Sequence, residues 1–183
     1  MLDDNCIRLR ALERSDLIAL HQWENISRWW RTSSTLAPYS LRNVMDYLAS
    51  YDADPFHSGQ LRLIIERKEG EEPVGFVELY DVEVRHRRAN VGILIAPSHQ
   101  RRHMASRALR LLEGYCGKHL MLRQLLAYVP ADNLPSLSLF EREGYVRVAT
   151  LPEWLTADGS WIDATVWQKF LVTPTVSNQP IDQ

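Results

Sequence analysis

The stretch Gln100-Arg101-Arg102-His103-Met104-Ala105-Ser106 lies between a strand-like run ending at Ile95-Ala96-Pro97 and an amphipathic run over 104–116. A strand, a short basic turn and a helix start follow one another directly. The first amides of a helix have no partner within it, and their dipoles favour an anion. Arg101 and Arg102 add formal positive charge there. The stretch therefore reads as a loop that cradles a diphosphate-bearing cofactor at the mouth of a helix. The same residues also suit an ordinary capped helix beside a solvated basic turn, and the lack of glycine over 100–106 leaves both readings open.

Downstream, positions 104, 108, 111 and 115 share one helical face and 105, 109, 112 and 116 form the adjoining row. Their apolar character predicts a broad buried stripe. Gly117 is expected to close this helix ahead of a strand over 125–129. Asn133-Leu134-Pro135-Ser136 starts the next helix, with proline where a missing amide proton costs least, and Gly144 ends it. A last hairpin is expected to join 145–151 to 160–170 around Asp158-Gly159.

Upstream, Ile7, Leu9, Ala11 and Leu12 alternate with Arg8 and Arg10 as a first strand, and Ser15-Asp16 is read as capping a helix that carries Leu17, Ala19, Leu20 and Trp23. Ser40 caps another, with Val44, Tyr47 and Leu48 inward, and 52–59 is expected to be a mobile polar connection. Strands over 61–66 and 74–80 flank the turn residues Lys68-Glu69-Gly70-Glu71-Glu72-Pro73. A further strand over 90–96 follows Arg85-His86-Arg87-Arg88. The order is that of an α/β domain without the helix-after-every-strand grammar of a doubly wound nucleotide fold.

Composition bounds the partners. The 183 residues, 45% hydrophobic and 24% charged, suit one domain over 1–172 with a sizeable core, and the polar, proline-containing 173–183 should fray. A net charge of -2 offers no sequence-wide attraction to nucleic acid or anionic lipid, so neither is expected as a partner. Cys6 and Cys116 do not form a close ligand pair, and Cys116 falls on the inward helix face as a core thiol. A reduced cytoplasmic setting follows. No apolar run approaches the roughly 20 residues of a membrane helix, and no N-terminal segment reads as a secretory leader. His21, His99 and His103 lack a motif that makes them ligands, so no metal site is expected.

Gln100-x-x-His103-x-Ala105 resembles the coenzyme A loop of the GCN5-related N-acetyltransferases, written Gln or Arg, two residues, Gly, any residue, then Gly or Ala. Asn133-x-x-Ser136-x-x-Leu139-Phe140-Glu141-Arg142-Glu143-Gly144-Tyr145 resembles that family's second motif. Ile7-Arg8-Leu9-Arg10 with Asp16-Leu17, and Gly75-Phe76-Val77-Glu78-Leu79 before Arg87-Arg88-Ala89, are similar to the spermidine and ribosomal-protein acetyltransferase branch. The resemblance runs from about residue 7 to 170. It implies a GNAT fold: a mixed, mostly antiparallel central sheet flanked by helices, with a splayed strand pair, 91–95 and 125–129, forming the cleft for acetyl-coenzyme A. Backbone groups of Ile93 and Ile95 would pair with the pantetheine arm. Gln100, Arg101, Arg102, His103, Met104, Ala105 and Ser106 would hold the diphosphate, with Asn133, Ser136 and Phe140 along the arm. Two departures stand out. His103 occupies a glycine position, and Phe140 stands where many relatives carry a tyrosine proposed to protonate the departing thiolate, a proton a phenyl ring lacks.

Acetyl transfer to an amine needs an unprotonated nitrogen, and an alkyl amine with a pKa around 10 is only about a thousandth neutral at pH 7. A group must accept the proton. Glu78 is the leading candidate, acting through water, while the Ile95 amide stabilises the carbonyl oxygen; Glu78 also reads as an exposed partner of Arg87 or Arg88. Solvent or Tyr145 would supply the thiolate proton. For the acceptor side, Trp29, Trp30 and Tyr39 can present aromatic faces to a cation, and Glu24, Glu78 and Glu153 can neutralise amines; the tryptophans equally suit packing. Glu153-Trp154 resembles the acidic-aromatic C-terminal segment of spermidine acetyltransferases, which favours a polyamine acceptor. A peptide N-terminus, or a non-catalytic coenzyme A-binding module, are the alternatives, and a homodimer or a higher homo-oligomer is the expected assembly.

Overall fold

The computed structural model describes residues 2–33, 35–157 and 159–171. The tail expected to fray lies outside them, as does Asp158 of the last turn. Seven strands form one sheet in the order β1-β2-β3-β4-β5-β7-β6. They are β1 (Ile7–Arg10), β2 (Leu61–Arg67), β3 (Glu72–Glu83), β4 (Arg88–Ile95), β5 (Gln124–Pro130), β6 (Val146–Ala157) and β7 (Ser160–Phe170). The helices are α1 (Leu17–Glu24), α2 (Leu41–Ser50), α3 (Pro55–Ser58), α4 (Met104–Lys118) and α5 (Leu134–Arg142). Every pairing is antiparallel except β4 with β5.

Alternation sorts the side chains into two cores. Leu61, Leu63, Ile65, Val77, Leu79, Val91, Leu125 and Ala127 pack on one face against Met104, Ala108, Leu109, Leu112 and Cys116 of α4. That is the stripe expected from the helical spacing. On the opposite face, Ile64 and Phe76 meet Leu20 and Trp23 of α1 and Val44 of α2. Residues 62, 78 and 92, being out of phase with the larger core, belong to this second face. Among the described residues no helix is long and apolar enough to cross a membrane.

Local chemistry corrects several boundaries. Asp16 does not cap α1. It is buried, its carboxylate accepts the Glu13 amide and two Arg10 nitrogens, and α1 is reached through the 3-10 turn Arg14–Asp16. Ser40 does cap α2, in a reciprocal exchange with Asn43. Within the polar connection 52–59, Asp54 caps the single turn α3, and Gly59 leaves it at φ 74°. Gly117 does not end α4, which continues to Lys118 with Gly117 buried inside it. Strand β6 is longer than expected because a bulge between Leu151 and Leu155 absorbs the residues that would have ended it.

Gly144 closes α5 at φ 81°; the Tyr145 amide donates to Phe140 O and the Gly144 amide to Glu141 O, each at 3.0 Å. This is a Schellman ending, and its hydrophobic contact is the edge-on meeting of the Phe140 and Tyr145 rings at 5.0 Å.

Gly75 lets β3 approach β4. A Cβ there would lie 2.1 Å from the Leu94 carbonyl oxygen. Gly75→Ala is expected to lower the unfolding free energy, measured in urea, by about 1–3 kcal/mol. Gly114→Ala is its control. A Cβ at that helical position meets nothing within 4 Å, and stability should rise by about 0.5–1 kcal/mol.

Candidate functional site

Strands β4 and β5 pair only at Arg88 with Gln124, Ala89 with Leu125 and Asn90 with Leu126, and then part. The Ala96 amide donates to Val74 O, so antiparallel alternation commits residues 94 and 92 to β3 and turns the backbone groups of Val91, Ile93 and Ile95 outward. On the other side the Ala131 amide donates to Asp163 O, which by the same alternation turns the backbone of Tyr128 inward. A wedge with hydrogen-bonding edges results. This is the splay anticipated between 91–95 and 125–129, opening just beyond Asn90 and Leu126.

At the open end, Pro97–His99 forms a 3-10 turn and the loop enters α4. His103 is the N-cap, in the left-handed region at φ 59°, ψ 11°, and its side chain does not cap. The first intrahelical bond runs from Arg107 to His103 O, so the amides of Met104, Ala105 and Ser106 precede it. Histidine thus adopts the backbone that glycine would take freely. Arg101 is also left-handed, at φ 61°, and Arg101, Arg102 and His103 are all exposed.

Several expected cofactor side chains are committed elsewhere. Gln100 Nε2 donates to Ile95 O at 3.0 Å and ties the loop to β4. Met104 is in the core, and the buried Ser106 hydroxyl accepts from Arg142 at 2.8 Å. Asn133 Oδ1 caps α5 by accepting the Ser136 amide at 3.3 Å. Phe140 is in the core against Tyr145, and Ile93 and Ile95 contribute side chains to the same cluster. What these residues offer a ligand is their backbone.

Sequence reading missed a basic groove of about 510 Å³ beside the start of α4, lined by His103, Ser106, Arg107, Arg110 and Arg142. The first four recur at helical spacing, which was the available signal. Arg142 comes from α5, and no local pattern brings it there. Asp4 bonds Arg107 at 2.7 Å and Glu143 bonds Arg110 at 2.7 Å, so the groove's charge is partly compensated.

On the second face, Glu78 is not a partner of Arg87 or Arg88. Arg62 Nε and Nη2 reach its Oε2 at 2.8 and 2.7 Å, and Arg62 Nη1 reaches Glu24 Oε1 at 2.6 Å. The Arg62 guanidinium lies 4.3 Å from the Phe76 ring centroid and 5.4 Å from that of Tyr47. Burial works against its charge, yet Glu78 and Glu24 hold its pKa above the ordinary value. Glu78 Oε1 lies against Gly92 of β4, 3.0 Å from where a Cβ would stand. Expected residues 24 and 78 are therefore brought together, by an arginine the sequence reading passed over.

The aromatics divide. Trp29 packs at the second core with Arg28 over its ring, and the Trp30 indole donates to Glu24 O at 2.8 Å. Tyr39 is exchanged through its backbone with the Asn25 amide. Glu153 is exposed on the bulge of β6 at φ 50°, its amide held by Asp163. Tyr145 is turned the wrong way for the wedge: its ring lies under Lys169, and burial and the nearby Glu113 push its hydroxyl pKa far up. Burial likewise pushes the Cys116 thiol well above its usual range, as befits a core thiol.

A sequence model of the Acetyltransferase (GNAT) domain matches residues 7–146. Spermidine N(1)-acetyltransferase of Escherichia coli is 30% identical over 142 residues, 76% of this chain and 72% of that protein. The Vibrio cholerae spermidine N(1)-acetyltransferase is 28% identical over 161 residues, 86% of this chain and 88% of its own length. The crystal structure of spermidine N-acetyltransferase from Vibrio cholerae in complex with CoA and spermine superposes with a TM-score of 0.80 at 25% identity, covering 92% of this chain and 97% of that one. A ribosomal-protein alpha-N-acetyltransferase in complex with coenzyme A reaches 0.81 at 17% identity, covering 93% and 97%, a likeness of fold alone.

His103→Gly tests the loop. Removing the Cβ from a left-handed residue should leave thermal stability unchanged or raise it by up to about 1 kcal/mol, and should tighten coenzyme A binding in a calorimetric titration. Weaker binding would show instead that the imidazole contributes a contact.

Proposed function

The chain belongs to the GNAT acetyltransferase family and is an acetyl-coenzyme A-dependent N-acetyltransferase, and from that premise we propose that it acetylates a polyamine of the spermidine class by direct attack of the amine in a ternary complex. The observation that carries this reading is the Glu24–Arg62–Glu78 cluster on the second sheet face, with Glu78 against Gly92 of β4. Two carboxylates share one guanidinium, so the cluster keeps a net negative charge for an ammonium group, and Tyr47 and Phe76 line it.

The residues present fit the cofactor. The outward backbone of Ile93 and Ile95 offers an edge for amide groups, and the amides of Met104, Ala105 and Ser106 with Arg101 and Arg102 suit a diphosphate. Arg107, Arg110 and Arg142 in the adjoining groove suit further phosphate. Acetyl-coenzyme A, when bound, supplies an acetyl group activated as a thioester.

Glu78 then holds the incoming ammonium group and accepts its proton through water, from the oxygen that lies against Gly92. The Ile95 N–H, turned into the wedge, is the donor assigned to the acyl oxygen as charge develops. Phe140 has no proton to give and the Tyr145 hydroxyl is buried away from the wedge, which leaves solvent to reprotonate the thiolate. Trp29, Trp30, Tyr39 and Glu153 are assigned to shaping the acceptor side, the tryptophans by packing.

Acetylation of a peptide N-terminus is the second reading. Its support is the fold-level likeness to the ribosomal-protein enzyme and the accessible rim at Glu153. Self-association also belongs to the proposal. One Vibrio cholerae relative is described as dodecameric, and here Val146, Val148, Trp154, Trp161 and Phe170 of the last hairpin are all at least half exposed. A homodimer through this hairpin, in a cytoplasm that keeps the free Cys6 and Cys116 reduced, is consistent with both.

Incubation with acetyl-coenzyme A and an equimolar mixture of spermidine and a free-amino peptide, read by mass spectrometry, is expected to yield acetylated spermidine in excess. Exclusive peptide acetylation overturns the polyamine assignment, and coenzyme A binding without product points to the non-catalytic module. Glu78→Gln should reduce kcat about 100-fold near neutral pH while coenzyme A affinity is retained.

A further inference from the structure

Arg62 is a charged side chain on an interior strand, flanked by Leu61 and Leu63, and only 18% of its side chain is exposed. Its packing restrains it on all sides. Phe76 and Tyr47 cover its guanidinium, Glu78 and Glu24 take its nitrogens, and the Tyr51 hydroxyl donates to the Arg62 carbonyl at 3.3 Å while accepting from its amide. A guanidinium withdrawn from water this far would be costly without such partners. The fold, however, gains little from putting it there, since an apolar residue would fill the same gap between the rings.

We propose that Arg62 is a positioning residue for acetyl transfer: it fixes the Glu78 carboxylate with Oε2 in the guanidinium fork and Oε1 turned to the β4 edge of the wedge, and it divides its charge between Glu78 and Glu24. The inference rests on the reading of Glu78 as the proton acceptor. Both bonds from the fork fall on Oε2, so the carboxylate cannot rotate without losing them. Gly92 leaves the space that Oε1 occupies, as a Cβ would stand 3.0 Å from it and 3.1 Å from Cγ.

The groups around Glu78 are Arg62 from β2, Glu24 from α1, which shares that guanidinium, Tyr47 from α2, Tyr51 just beyond it, and Tyr80 from β3, which in turn feels Asp81 and Tyr128. Burial pushes Tyr47 and Tyr80 up to about 12, so these phenols stay neutral over the working range. Arg62 is the cation of the set. An opposite charge favours the ionised carboxylate and a like charge disfavours it. Without Arg62, Glu78 would face Glu24 uncompensated, with two like charges side by side. Without the Glu24 charge, Arg62 would serve Glu78 alone. The two changes therefore act with opposite signs on the field at Glu78.

The test is the pH profile of kcat with spermidine for Arg62→Met, Arg62→Lys, Glu24→Gln and Glu78→Gln, each checked for coenzyme A binding. The acidic limb is expected to move up by about one pH unit in Arg62→Met and down in Glu24→Gln. Arg62→Lys should restore the limb toward its original position but not kcat, because an ammonium lacks the planar fork. In Arg62→Met, kcat should fall more than tenfold while KM for the amine falls or holds, since the acceptor face has gained negative charge. A purely structural arginine predicts a raised KM and unmoved limbs. Should Arg62→Met fail to fold, Glu24→Gln decides alone: an unmoved limb in that folded variant overturns the proposal. A Glu78→Gln enzyme with an intact limb removes the base assignment itself. Loss of the limb in Glu78→Gln with no shift in the other variants removes only the role of Arg62.

Discussion

The parting of β4 from β5 after three residue pairs is the constraint on which the site depends. Each strand has a full-length antiparallel neighbour, β3 for one and β7 for the other, so neither needs the other to satisfy half of its backbone. The remaining half, at Val91 and Ile93, the Ile95 amide and around Tyr128, faces the wedge instead of a strand. Hydrogen-bonding groups at an interior position of a sheet are ordinarily consumed by the next strand. Here two separately anchored strands leave them open, and the unpaired amides at the start of α4 follow the loop beyond Ile95.

That geometry separates the two halves of the chemistry. The face packed on α4 and α5 is largely apolar and carries the start of the helix with its basic groove. The opposite face carries Arg62, Glu24 and Glu78 beneath α1 and α2. Charge on the second face does not weaken the core on the first, because side chains of one strand alternate between them. The cost falls locally, in the withdrawal of Arg62 from water, and its carboxylate and aromatic neighbours offset it. A comparable concession occurs in the loop, where His103 adopts a left-handed backbone about 1–2 kcal/mol less favourable for a residue with a Cβ.

Much of the architecture was legible from local pattern. Alternation located β2, β3 and β4, helical spacing located the inward face of α4, and Gly144 marked the end of α5. Misreadings came where tertiary contacts outweighed local preference. Asp16 looked like a helix cap and is instead the buried partner of Arg10. Gly117 looked like a helix stop, but it is buried within the last turn of α4, which ends one residue later at Lys118. The turn α3 within 52–59 gave no signal because a single capped turn is too short to show periodicity.

For the site, the sequence by itself determined the ordered motifs, the position of the helix start after the basic loop, and the presence of an acidic residue on β3, the strand next to β4. Only the tertiary structure decided the partners. Arg62 and Glu24 are separated along the chain by 38 residues, and Arg110 and Glu143 by 33, so no local spacing reports that they meet. Backbone periodicity is a property of neighbours in sequence and can be read from one strand or helix. The orientation of Glu78 depends on which cation the sheet register and the packing of α1 bring to it, and that is settled only when the layers close.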